Sequence, residues 1–363
     1  MKAKQRIYSN PLEEDINHIL ARTKGLWDEL RDKRIFITGG TGFFGCWFLE
    51  SFARANEKLK LNASMFVLTR NIKAFRKKAP HLLNNPSIHF LLGDVRLFDF
   101  PKGKFDYIIH AAASLSPPHD EKESRDAFDV IVEGTRRVLE FAEKRKVKKL
   151  LLISSGAVYG RQDSRVSHLG EDYHGAPDPI DWRSCYSEGK RVAELLTVLK
   201  AREYGFEAKI PRCFAFVGPY QKLDGQWAIG NFIRDGLKGG PILVHGDGTA
   251  IRSYLYAADL MIFLWTILFR GESCLPYNVG SENEISIRSL AQLVSTVSGI
   301  KKDIVISKKP DIKAEIDRYV PSTKRARNKL NLKQSISLKN AIIKTIQYIK
   351  FKEGKENEQH NYW

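Results

Sequence analysis

The chain has 363 residues, 43% of them hydrophobic, enough to bury a large core as one big domain or two lobes. Its formal charge of +17 comes from 59 Lys and Arg against 42 Asp and Glu. The lysines fall in short groups (Lys73 to Lys78, Lys144 to Lys149, Lys344 to Lys355) rather than one basic block, so an ordinary solvated surface is favoured over a nucleic-acid interface. No run of about 18 apolar residues and no signal-type apolar core is present, which argues against a membrane span. The four cysteines show no pairing pattern, as expected for reduced thiols in a cytoplasmic protein, and no metal is expected.

Residues 1–33 read as an amino-terminal helical extension. Pro11-Leu-Glu-Glu-Asp15 followed by Ile16, Ile19, Leu20, Leu26 and Leu30 predicts one or two amphipathic helices, placed on the outside or at a dimer contact. Arg34-Ile-Phe-Ile37 then reads as a buried strand. It runs into Gly39, Thr41, Gly42, Phe43, Phe44 and Gly45, and a helix starts from there. A glycine-rich turn between strand and helix lets backbone N–H groups approach a pyrophosphate at the positive end of the helix. The spacing is G-x-x-G-x-x-G. Strand and helix patterns alternate onward to about residue 200, with strands around Phe66, His89, Ile108, Leu151 and Glu207, the signature of βαβ units and a parallel sheet.

The second strand ends at Thr69-Arg70-Asn71, without an acidic residue for a ribose 2′-hydroxyl. Arg70 suits a 2′-phosphate and points toward NADP. Lys149-Leu-Leu-Leu-Ile153 is another buried strand, ending at Ser154 and Ser155. Tyr186 and Lys190 lie four apart on a predicted helix and share a face. A nearby ammonium favours the phenolate and lowers the tyrosine pKa, which would make Tyr186 an acid/base and Ser155 a holder of a substrate oxygen. Beyond Asp224 come a return strand at Pro276 to Val279, a helix from Ile287 to Ser298 and a last helix over 338–350. Glu353 to Trp363 reads as a polar, frayed tail.

These pieces, in this order, resemble the extended short-chain dehydrogenase/reductase superfamily, and within it the NAD-dependent epimerase/dehydratase family acting on nucleotide sugars. Further matches are Gly93-Asp94-Val95, His110-Ala111-Ala112-Ala113, Gly134-Thr135, Arg212 to Pro219, Gly246-Asp247-Gly248 with Arg252 to Leu260, and Tyr277-Asn278-Val279-Gly280. The resemblance implies an α/β fold: a Rossmann-type doubly wound sheet over 34–220 that takes back the strand at 276–280, a smaller α+β substrate lobe over 221–350, and a tail over 351–363. It implies NAD or NADP held by the glycine turn, Arg70, Asp94, Val95, His110, Ala111, Ala112 and Lys190. Tyr186, Lys190 and Ser155 would be catalytic. Asn231, Arg252 and Arg318 would join Ser155 in holding the substrate, and a homodimer is expected.

The activity so implied is hydride transfer at a sugar carbon, usually C4, in an epimerase or 4-keto-reductase of glycan precursor synthesis. Gly156 and Ala157 stand where hexose 4,6-dehydratases carry an acid–base pair, and neither can move a proton, which argues against that elimination. Ala215 and Ile131 replace asparagines common in the family. The alternatives are a nucleotide-sugar dehydratase, a non-enzymatic NAD(P)-sensing or RNA-binding relative, and a dehydrogenase of an apolar alcohol.

Overall fold

The computed structural model describes residues 11–113, 119–225, 227–299, 303–311 and 314–360, the last six by their backbone alone; the first ten residues of the predicted extension and the last three of the tail lie outside them. The extension contributes helix α1 (Glu13–Arg22) and a 3-10 turn at Trp27–Leu30. Strand β1 (Arg34–Thr38) leads into helix α2 (Phe43–Leu59), and β2 (Ser64–Thr69) into two short helices, α3 (Ile72–Lys78) and α4 (Pro80–Leu83). Then follow β3 (Ile88–Leu92), β4 (Tyr107–His110), α5 (Glu121–Arg145), β5 (Lys149–Leu152), β6 (Ser154–Ser155), α6 (Cys185–Tyr204) and β7 (Glu207–Cys213).

The later part interleaves short strands with helices. These are β8 (Phe216–Val217), α7 (Ala228–Lys238), β9 (Ile242–Val244), β10 (Ile251–Arg252), β11 (Leu255–Tyr256), α8 (Ala257–Arg270), β12 (Pro276–Val279), β13 (Ile285–Ser286), α9 (Ile287–Ser298), β14 (Ile304–Ile306), β15 (Arg318–Tyr319), α10 (Lys324–Leu330) and α11 (Leu338–His360). The last helix continues well into the segment read as a tail.

The main sheet has the order β12-β7-β5-β4-β1-β2-β3, and β6 extends it beside β7. Every pairing in it is parallel, as the alternation of strand and helix predicts. The chain leaves β1 toward β2 and β3 on one side, then returns to place β4 on the other. That reversal opens a crevice at the carboxyl ends of β1 and β4, where ligands of open α/β sheets bind. Three small sheets lie beyond the main one: β13-β10-β15, β11 with β8, and β14 with β9.

The core explains why the extension is ordered. Ile16, Ile19, Leu20, Leu26 and Leu30 are all buried while Glu13, Glu14, Arg22 and Asp28 are exposed, so the extension is amphipathic and lays its apolar face against the rest of the chain. Trp27 packs against Trp265 of α8 with ring centroids 4.9 Å apart, and Tyr256 donates a 2.6 Å hydrogen bond to Asp15. Helix α8 is apolar nearly all round and therefore sits inside, between the sheet and helices α1 and α2. The opposite face of the sheet is covered by α5 and α6 over a cluster of Phe36, Phe98, Phe105 and Phe141. No helix among the described residues is long and apolar enough to cross a membrane.

Candidate active site

The glycine turn is built by contacts that exclude side chains. Gly39 has φ +69°, and a Cβ there would lie 2.6 Å from the carbonyl carbon of Ala111. The N–H of Gly42 donates to the carbonyl of Gly39 at 3.0 Å, closing the turn. Gly42 is the N-cap of α2 without a side-chain cap, and the first turn carries no acidic residue. The leading N–H groups of α2 are therefore left for an anion. Ala111 and Ala112 form the facing wall; the Ala112 N–H donates to Thr38 Oγ1 at 3.2 Å.

Beneath this wall, His110 bonds through Nδ1 to Thr38 Oγ1 (2.7 Å) and through Nε2 to Thr135 Oγ1 (3.1 Å). Burial, with a smaller effect of Lys190, pushes its pKa down to about 3, so the ring is neutral. The imidazole thus ties β1, β4 and α5 together, and the crevice wall is made by the alanines after it.

At the end of β2, Arg70 is exposed, while Asn71 caps α3 by accepting from the Ala74 N–H. Thr69 and Thr41 meet through their hydroxyls at 3.3 Å. Lys78, which the sequence reading missed, reaches back from α3 and donates to the Thr41 carbonyl at 3.1 Å. A lysine nine residues after the strand carries no spacing signal; only the return of α3 onto the turn brings it there. Asp94 accepts two 2.9 Å bonds from the Arg96 guanidinium, which hold its carboxyl below the usual range. Val95 is buried and packs on Gly134, leaving no room for a Cβ there.

The catalytic candidates converge. Strands β5 and β6 deliver Ser154 and Ser155, and the first turns of α6 deliver Tyr186 and Lys190 one helical turn apart. Lys190 is buried and donates to the Ile153 carbonyl at 2.7 Å, with its Nζ 5.9 Å from the Tyr186 ring centre. Burial lowers its pKa to about 8. The expected depression of the Tyr186 pKa is not what this environment produces. Burial pushes the phenol up to about 12, outweighing the lowering influence of the neighbouring Ser155 hydroxyl. Behind them, Glu194 receives a hydrogen bond from Ser154 and two from Arg212, at 3.0 and 2.7 Å.

A second phenol, also missed from the sequence, enters from β15. Tyr319 stacks on Phe214 with centroids 4.6 Å apart, and a Cβ at Gly156 would lie 2.6 Å from its hydroxyl. The three substrate candidates are engaged within the chain. Arg252 binds Asp317 at 2.5 Å, Arg318 pairs with Glu284, and Asn231 donates to the Gly225 carbonyl at 2.7 Å. Parallel pairing of β10 with β15 sets Arg252 opposite Tyr319. Among the described residues no cluster suited to a metal ion occurs.

Residues 35–280 match the model of the NAD dependent epimerase/dehydratase family. The chain belongs to that family. Among curated relatives of this family member, UDP-glucuronic acid decarboxylase 1 of Danio rerio is 30% identical over 100% of this chain and 85% of its own length. UDP-glucuronic acid decarboxylase 6 of Arabidopsis thaliana is 31% identical over 88% and 86%. Among solved structures, UDP-glucose 4-epimerase of Thermotoga maritima superposes with a TM-score of 0.73 at 22% identity, covering 88% of this chain and 99% of that one, a likeness of fold. The expected α/β, Rossmann-type architecture of the family is thus present.

Proposed function

We propose that this family member is an NAD(P)-dependent nucleoside-diphosphate-sugar epimerase or 4-keto-reductase in glycan precursor synthesis. The observation that carries the reading is the convergence of Ser155, Tyr186 and Lys190 beside the glycine turn, at the carboxyl ends of the parallel strands. The turn fits a dinucleotide, since Gly39 and Gly45 leave backbone where any side chain would intrude. When bound, the nicotinamide would supply the hydride acceptor for the sugar carbon.

The chain's own residues handle the proton and the orientation. Tyr186 as phenolate accepts the hydroxyl proton, and Ser155 donates to the developing carbonyl oxygen. Lys190 would place a positive charge beside the phenolate and would hold the cofactor ribose. Arg252 and Arg318 exchange their carboxylates for the substrate diphosphate, and Asn231 orders the loop at Gly225. Residues 34–220 with the strand at 276–280 form the cofactor domain, and 221–350 the substrate lobe. Leu195 and Leu199, exposed one turn apart on α6, form the centre of a homodimer contact, which sedimentation at micromolar concentration decides.

A second reading is favoured by the relatives: loss of carbon dioxide from a uronic acid once C4 is a ketone. The residues after Ser155 bear on it, since Gly156 and Ala157 supply no proton for a dehydratase-type elimination. Purified protein is offered UDP-, GDP-, CDP- and dTDP-sugars, UDP-glucuronate among them, with products read by mass spectrometry. Tyr186→Phe is expected to abolish turnover while retaining NAD(P) binding. Full activity in that variant would remove Tyr186 from the mechanism.

A further inference from the structure

Helix α2 starts at Gly42 with the positive end of its dipole and no acidic residue in its first turn. A cation there has the wrong sign for the helix itself. Yet Lys78 of α3 reaches the turn and donates to the Thr41 carbonyl at 3.1 Å, one residue before that N-cap. Such a charge serves an anion held at the turn rather than the fold.

Contacts from the last helix keep Lys78 in place. Lys352 of α11 donates to the Lys78 carbonyl at 2.8 Å. The Lys78 ammonium also lies 5.6 Å from the centre of the Tyr220 ring. Tyr220 has φ +72°, a region bulky residues rarely occupy, so its surroundings must hold it there. They do so from two sides: its hydroxyl donates to Glu50 of α2, and its ring meets Tyr348 of α11 with centroids 5.3 Å apart. His81 of α4 fixes the same Glu50 oxygen at 2.8 Å. Tyr348 and Lys352 are four apart and share one face of α11. Both lie beyond residues 35–280, the part that matches the family.

We propose that Lys352 and Tyr348 of α11 are positioning residues for the dinucleotide phosphates, acting through Lys78. The proposal rests on the reading of the glycine turn as a cofactor site. Lys78 adds a full charge to the partial charge of the α2 terminus, and α11 fixes the backbone from which that lysine reaches. An ammonium has three N–H groups and the Thr41 carbonyl takes one, so Lys78 can serve carbonyl and phosphate together.

The test is dinucleotide binding to the purified full-length protein, read by isothermal titration with NAD and NADP, which needs no sugar and no turnover. Lys78→Met is expected to raise Kd about tenfold, the loss of one charge-assisted hydrogen bond. Lys352→Met should raise it ~3- to 10-fold for both dinucleotides, and Lys352→Arg, which keeps a donor, should restore it. In the double variant of Lys78→Met with Lys352→Met, Kd should stay at the Lys78→Met value, because the two act in series. Tyr348→Leu should shift Kd the same way by unseating Tyr220. Lys350→Met is the control: it removes an equal charge from an exposed position of the same helix and should leave Kd unchanged. A merely structural contact would lower the melting temperature of the dinucleotide-free protein and leave Kd alone. An unmoved Kd in folded Lys352→Met, an equal rise in Lys350→Met, or fully multiplicative effects in the double variant overturns the proposal. A wild type that binds neither dinucleotide would instead overturn the functional reading.

Discussion

Gly45 in the first turn of α2 lies against Gly40 so closely that a Cβ at 45 would stand 2.3 Å from the Gly40 Cα. Backbone meets backbone there, and no rotamer change relieves the contact. Gly45→Ala is expected to cost about 1–3 kcal/mol of stability, as overpacking does. It should also weaken NAD(P) binding at least ~10-fold by prising the helix from the turn. Gly246→Ala is the matched control, because nothing lies within 4 Å of a Cβ there and its φ is ordinary. Calorimetric melting and cofactor titration of both variants check the contrast; equal behaviour would contradict the packing argument.

Stability should fall with acid through His110. Its pKa is about 3 in the fold, against roughly 6.5 in the unfolded chain. The unfolded state therefore binds the extra proton first. The stabilisation from the neutral ring is complete above about pH 6.5 and is lost progressively as pH falls toward 3, by about 1.4 kcal/mol per pH unit. Urea midpoints of wild type and His110→Asn between neutral pH and pH 4 test this. The variant should be less stable at neutral pH and lose less on acidification; parallel profiles would show that His110 is not the group responsible.

Cofactor choice should follow the end of β2. Arg70 is exposed there with no carboxylate beside it at 69 or 71, and Lys78 sits behind the turn at Thr41. Arg70→Asp is expected to weaken NADP relative to NAD by ~10- to 100-fold, the scale of one charge-assisted hydrogen bond. Lys78→Met, which removes a donor from the turn itself, should weaken both cofactors alike. Isothermal titration with each dinucleotide separates the two effects. An unchanged NADP to NAD ratio in Arg70→Asp would place the 2′-position elsewhere.

The parallel sheet, the glycine turn and the Ser155, Tyr186 and Lys190 set were legible in the sequence because each rests on local rules. Strand and helix periods differ, glycine alone fits a turn pressed on backbone, and residues four apart share a helix face. The amphipathic pattern of Ile16 to Leu30 was legible too, but its partner was not, since apolar spacing says that a face is buried without naming what covers it. Helix α8, apolar nearly all round, turned out to be that partner.

What the tertiary structure alone decided are the long-range neighbours. Tyr319 comes to lie on Phe214 and beside Gly156 from a strand that pairs with β10, across more than a hundred residues of chain, and no local pattern marks it. The same distance in sequence hid the occupation of Arg252 by Asp317 and of Arg318 by Glu284. The ionisation of Tyr186 belongs here as well. Spacing put an ammonium near the phenol, but burial, a property of the folded interior, sets which way its pKa moves.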